Sequence, residues 1–194
     1  MGGPDQFLQQ LAQAAGVPPD TFANRNPAEI AEQLGVVMRV ITDNVMQLLN
    51  ARLQAKRLAR SSSHTMIQAV DNNPLKFAPT VDEALRIMFG PPTRSYLDAR
   101  RAIEQGFADL KSHQIKTYSA MQHALTELMA DIEPLAIESD TDADRGIAGL
   151  MTSRKAKLWD AYVARWQAMA NREGDGLIDA FMRLFAEHYD RASN

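Results

Sequence analysis

Residues 27–58 read PAEIAEQLGVVMRVITDNVMQLLNARLQAKRL. Asn26, just before them, is suited to cap a helix, and Pro27 is tolerated at a first helical position, where its missing N–H costs nothing. Ile30, Leu34, Val37, Ile41, Val45, Leu48 and Leu49 then recur at the spacing of one helix face. A helix over this stretch spans about 45 Å. A rod of that length needs partners along its side, so this segment commits the chain to helices packed side by side.

The rest of the sequence agrees. Residues 5–15 predict a short amphipathic helix carrying Phe7, Leu8 and Leu11, ended by Gly16-Val17-Pro18-Pro19. Residues 60–71 read as a polar connector. Thr80-Val81-Asp82-Glu83 has the form of a capping box before a short helix with Ala84, Leu85, Met88 and Phe89. Gly90-Pro91-Pro92 stops it. A second long helix is expected from about Ser95 to Asp131, with a stripe of Leu97, Ile103, Phe107, Leu110, Ile115, Tyr118, Met121, Leu125, Leu128 and Ile132, and Pro134 closing it. Residues 136–149 are acidic and small and read as a loop. A third long helix is expected over about 150–171, with Trp159, Tyr162 and Trp166 on one face, read as core. A last one is expected over about 177–192. No stretch alternates with period two over a strand's length. The predicted fold is all-α: a helical bundle with two or three long helices and several shorter ones. Residues 1–26 are expected to form a short helix and linker, and residues 27–194 a single domain.

Composition narrows the classes. The 194 residues are 45% apolar and 23% charged, with a net charge of −3, which suits a globular domain and gives no drive to coat nucleic acid. Without cysteine there is no disulfide, thiolate metal site or cysteine nucleophile. No apolar run reaches membrane-span length, and Met1-Gly2-Gly3-Pro4 lacks the basic and apolar regions of a signal peptide. The expectation is a cytoplasmic protein with no membrane insertion and no nucleic-acid partner.

No stretch carries a complete motif for catalysis or metal binding. Asp140-Thr141-Asp142-Ala143-Asp144 opens like a calcium loop, but Arg145 and Met151 stand where the turn glycine and the bidentate glutamate belong. The four histidines, His64, His113, His123 and His188, include no i, i+4 pair and no Glu-x-x-His. Ser61-Ser62-Ser63-His64 lacks a nucleophile elbow, and no glycine-rich phosphate loop occurs. The chain is therefore expected not to be an enzyme and to need no metal or cofactor.

Two stretches remain as candidate contact surfaces. Arg52, Lys56 and Arg60 lie at i, i+4, i+8 and make one basic helix face, suited to an acidic partner or anionic headgroups, with a solvated face of local ion pairs the favoured reading. Residues 71–77, DNNPLKF, form a joint between helices. Pro74 forces Asn73 out of helical geometry, and the two asparagines can hold a turn. Pro74, Leu75 and Phe77 read as structural anchors, as do Trp159 and Trp166. Asn72, Asn73 and Lys76 read as candidate contacts, with the structural role of the joint favoured.

Across residues 37–190 the sequence resembles a known family. It carries Leu48-Leu49 with Arg52, Lys56 and Arg60, then Thr65-Met66-Ile67, then Asn72-Asn73-Pro74-Leu75-Lys76-Phe77 and Ala84-Leu85. Phe107-Ala108-Asp109-Leu110-Lys111-Ser112-His113-Gln114 follows, with Met121, Asp131–Pro134, Lys157-Leu158-Trp159, Tyr162, Phe181 and Leu184-Phe185. These resemble the C-terminal domain of type VI secretion system FHA-domain proteins, the TagH/Fha family. Ala186 departs from the family's glycine after Leu-Phe. The resemblance implies a bacterial cytoplasmic interaction domain. It would assist assembly or regulation of the contractile injection machine, with baseplate or membrane-complex components as partners. The β-rich, phosphothreonine-reading FHA domain has no counterpart in this sequence. A helical oligomerisation domain of a bacterial signalling adaptor is the competing reading, with self-association through the Trp159–Tyr162–Trp166 face or the last helix.

Overall fold

The computed structural model describes residues 4–58, 68–143, 153–170 and 176–192. Among them are eight α-helices and no strands. The helices are α1 (Pro4–Ala15), α2 (Pro27–Leu58), α3 (Pro74–Phe77), α4 (Val81–Phe89), α5 (Ala99–Ala130), α6 (Pro134–Ala143), α7 (Arg154–Ala170) and α8 (Gly176–Arg191). A 3-10 turn at Pro19–Phe22 follows α1 and packs on it. The fold is all-α, as the periodicity predicts.

The chain forms two compact units. The first comprises Met1–Leu49 and Gln68–Gly106; the second comprises Asn50–Ile67 and Phe107–Asn194. α1 falls in the first unit together with the start of α2. Each long helix contributes residues to both units.

Helix starts follow local chemistry. The Asn26 side chain accepts from the Ala28 N–H at 2.9 Å, and Asp98 accepts from the Arg101 N–H at 2.9 Å at the start of α5. Thr80 caps α4 by accepting from the Glu83 N–H at 3.2 Å. Glu83 does not return the bond as a full capping box would. Its carboxylate is held by Arg86, at 3.0 Å from Nε and 2.6 Å from Nη2, which also keeps it below the usual glutamate range. At the end of α4, a Cβ on Gly90 would lie 2.4 Å from the Arg86 carbonyl oxygen, so only glycine fits.

In the first unit, Val45, Leu49, Leu75, Ala84, Met88, Leu97 and Ala102 are buried. Gly106 lets α5 approach closely: a Cβ there would sit 3.2 Å from Val45 and 3.4 Å from Leu75. In the second unit α6 packs on α7 and α7 on α8, with Ala120, Ala124, Ile137, Leu184, Ala186 and Tyr189 buried.

Three expectations are corrected. Pro134 does not close a helix into a loop; it opens α6, where a first-turn proline is well tolerated. Residues 136–143 are therefore helical, with Glu138 paired to Arg154 and Asp140 to Arg165; residues 144–149 lie outside the described segments. The α2 stripe is not one buried face. Ile30, Val45 and Leu49 are buried, but Val37, Ile41 and Leu48 are exposed. On α5, Leu97 just before the helix is buried, yet Phe107, Ile115, Tyr118, Met121 and Leu125 are exposed. The inward face of α5 is lined instead by Ala102, Gly106, Ala120 and Ala124, whose small side chains permit close helix approach.

Candidate interaction surfaces

The joint at residues 71–77 lies within the first unit. Asp71 adopts a left-handed backbone (φ 56°), which aspartate tolerates better than most residues, and its carboxylate meets Arg101 at 3.1 Å. Asn72 and Tyr96 form an isolated parallel bridge: the Asn72 N–H donates to Ser95 O at 2.9 Å, and the Leu97 N–H donates to Asn72 O at 3.0 Å. The Asn72 side chain accepts from the Gln68 N–H at 2.8 Å and donates to Gln68 O and Ser95 O. Asn73 is 2% exposed. Its amide donates to Ala102 O at 2.9 Å and to Gln105 Oε1 at 2.8 Å, while its oxygen caps α3 by accepting from the Leu75 N–H at 2.9 Å.

Asn72 and Asn73 are both buried and act as internal fasteners. Asn73 gives the Leu75 N–H at the start of α3 its partner, and both side chains tie the joint to backbone groups on either side of it. Pro74 and Leu75 are buried as anchors, while Phe77 and Lys76 are half-buried. Burial of Leu75 alone contributes about 2–3 kcal/mol.

The basic face also turns inward. In the second unit, Lys56 is only 8% exposed and Arg52 is half-buried. Arg60 lies outside the described residues, as do His64 and the serines before it. Lys56 Nζ stands 5.9 Å from the centre of the Tyr189 ring. Burial, and then the neighbouring Arg52, hold the Lys56 ammonium below the usual lysine range, while Asp190 opposes them. His113 Nδ1 is 2.7 Å from the Tyr189 hydroxyl. Burial first, and then the charges of Arg52 and Lys56, push the His113 imidazole below its ordinary pKa. Burial raises the Tyr189 phenol, and Arg52 offsets part of that. This is a cluster that ties the end of α2 to α5 and α8, rather than a ridge displayed to solvent.

The remaining histidines pair with each other. His123 and His188 stack with ring centres 5.2 Å apart, and His188 Nε2 lies 2.8 Å from Glu127 Oε2. Among the described residues no three His, Asp or Glu side chains gather as metal ligands. Asp144, Arg145 and Met151 of the calcium-like stretch lie outside those residues.

The tryptophans are not core anchors. Trp159 is 64% exposed and Trp166 is 42% exposed. Trp159 stacks on Tyr162, with ring centres 5.6 Å apart. Both line an open groove of about 420 Å³ between α6, α7 and the turn before α6, together with Ile132, Pro134, Ile137 and Leu158. Glu138 and Lys155 also line it. Helical spacing marks which residues share a face, but not which of two apolar faces is buried. On α5 the signal that separates them is the set of small residues along one side.

These surfaces belong to an all-helical domain built on two long helices, with no helix among the described residues long and apolar enough to cross a membrane. The family described as the C-terminal domain of type VI secretion system FHA protein matches residues 13–192, and the chain belongs to that family. The match reaches further toward the N-terminus than residue 37 and takes in the end of α1. No curated protein and no solved structure matches the chain.

Proposed function

We propose that this chain is a non-enzymatic interaction domain that helps assemble or regulate a type VI secretion system from the bacterial cytoplasm. It would do so by holding a baseplate or membrane-complex component. Membership of the family supports the setting. The observation that carries the reading is the aromatic groove at Trp159 and Tyr162. A large indole left 64% exposed beside a buried Ile137 is unusual for a surface with no partner. Tryptophan and tyrosine also supply much of the energy at protein interfaces.

The test uses purified baseplate and membrane-complex components, with Trp159→Ala compared against the parent chain in binding and in a secretion assay. Binding should weaken about 30-fold or more, the size of loss expected of a central aromatic anchor. Undiminished binding and secretion with Trp159→Ala would remove the groove as the docking site.

A further inference from the structure

α7 opens on the wrong charge for a helix start. Its first turn holds Arg154, Lys155 and Lys157 and no acidic residue. The free N–H groups of a helix start carry partial positive charge, so anions are favoured there and cations are not. Glu138 of α6 answers one of the three cations through its ion pair with Arg154. Lys155 has no carboxylate partner among the described residues. It is exposed, and it lines the tryptophan groove.

The groove is otherwise apolar. Ile132, Ile137, Leu158, Trp159 and Tyr162 form most of it, and Glu138, its other charged residue, is already held by Arg154. Along α7, Lys155, Trp159, Tyr162 and Trp166 follow i, i+4, i+7 and i+11, which sets them on one side of the helix. Trp159 and Trp166 are both exposed. The line is one cation at the N-terminal end followed by three aromatic side chains.

We infer that the groove takes a segment of a partner protein in which apolar side chains stand beside aspartate or glutamate, with the carboxylate at the Lys155 end. The inference rests on the docking role proposed for the groove and adds the chemistry of its occupant. The apolar side chains of the segment lie against Trp159 and Tyr162. Its carboxylate meets Lys155 and supplies the anion that the start of α7 lacks. A basic segment would meet like charge there. An anionic bilayer is a poorer fit, because attraction to one takes a cluster of about four to eight basic residues, and the groove offers Lys155 alone.

Charge reversal separates this inference from the docking role beneath it. In the binding assay with purified baseplate and membrane-complex components, Lys155→Glu should weaken binding about tenfold and reduce its dependence on salt, while Lys155→Arg should bind as the parent does. Two fluorescein-labelled peptides test the chemistry directly: both carry leucine and phenylalanine, followed in one by glutamates and in the other by lysines. The parent chain should prefer the acidic peptide, and Lys155→Glu should reverse the preference. Lys155 is exposed, and circular dichroism checks that each variant is folded. If Trp159→Ala weakens binding and Lys155→Glu does not, the groove stands as the docking site and the acidic occupant is wrong. If neither weakens it, the docking role falls and the inference with it. Equal affinity for the two peptides also overturns the inference. So does capture of phosphatidylglycerol vesicles in place of any component, or self-association that Trp159→Ala abolishes with no component bound.

Discussion

The joint at Asn72–Asn73 and the outer side of α5 are built on opposite principles. The joint is polar in sequence and buried in structure: the Asn73 side chain, on a residue 2% exposed, bonds to Ala102 O, Gln105 Oε1 and the Leu75 N–H. The α5 stripe is apolar in sequence and exposed in structure, from Ile115 to Met129. Polarity alone would assign each to the wrong side. What decides burial is whether a segment's backbone has other partners, and whether small residues elsewhere on a helix offer a closer packing face. Asn73 serves three groups: the Leu75 N–H within the joint, and Ala102 O and Gln105 Oε1 on α5. Ala120 and Ala124 already give α5 its inward face, which leaves Tyr118 and Leu125 outside.

The largest effect should come from the joint. Asn73→Ala leaves the Leu75 N–H and the Ala102 carbonyl without their side-chain partner, and should cost about 2–3 kcal/mol. Urea unfolding would show it as a lower midpoint at unchanged slope. A cost under about 0.5 kcal/mol, the level of an ordinary surface change, would break the contrast by making the asparagine dispensable.

A smaller, pH-dependent effect belongs to the cluster at the end of α2. Burial and the charges of Arg52 and Lys56 hold His113 below its ordinary pKa. The unfolded chain therefore binds this proton more readily than the folded one. Stability should be insensitive to His113 above the ordinary imidazole value of about 6.5 and should fall as pH drops below it. His113→Gln should flatten that slope between about pH 5 and 6.5, with His123 and His188 the same in both proteins. An unchanged slope would mean that the imidazole is not held neutral by its neighbours.

Much of the fold is legible in the sequence, because long helices announce themselves through caps and period. Pro27–Leu58 matches its reading, and the predicted breaks at Gly16 and Gly90-Pro91 fall where helices end. Pro74 and Leu75 are readable as anchors, because proline excludes a helical Asn73 and a leucine beside it needs cover. The candidate contacts are less legible. Lys56 and Arg52 share a basic face in the sequence, yet the Tyr189 ring, from α8 at the far end of the chain, draws Lys56 inside. Trp159 suggests core by size alone, and only the packing of α6 against α7 shows that the indole rims a groove. In residues 136–143 the acidic composition suggests a loop, and it masks the stronger signal, Pro134 at a first-turn position.

The smallest predicted stability change tests the account most directly. Urea unfolding of Tyr118→Ser and Leu125→Ser should give free energies within about 0.5 kcal/mol of the parent. Leu184→Ala, in the buried part of the same unit, should cost about 2–5 kcal/mol under the same conditions. If the two serine variants lose as much as Leu184→Ala, the outer side of α5 is core after all, and the division between buried polar fasteners and exposed apolar faces fails.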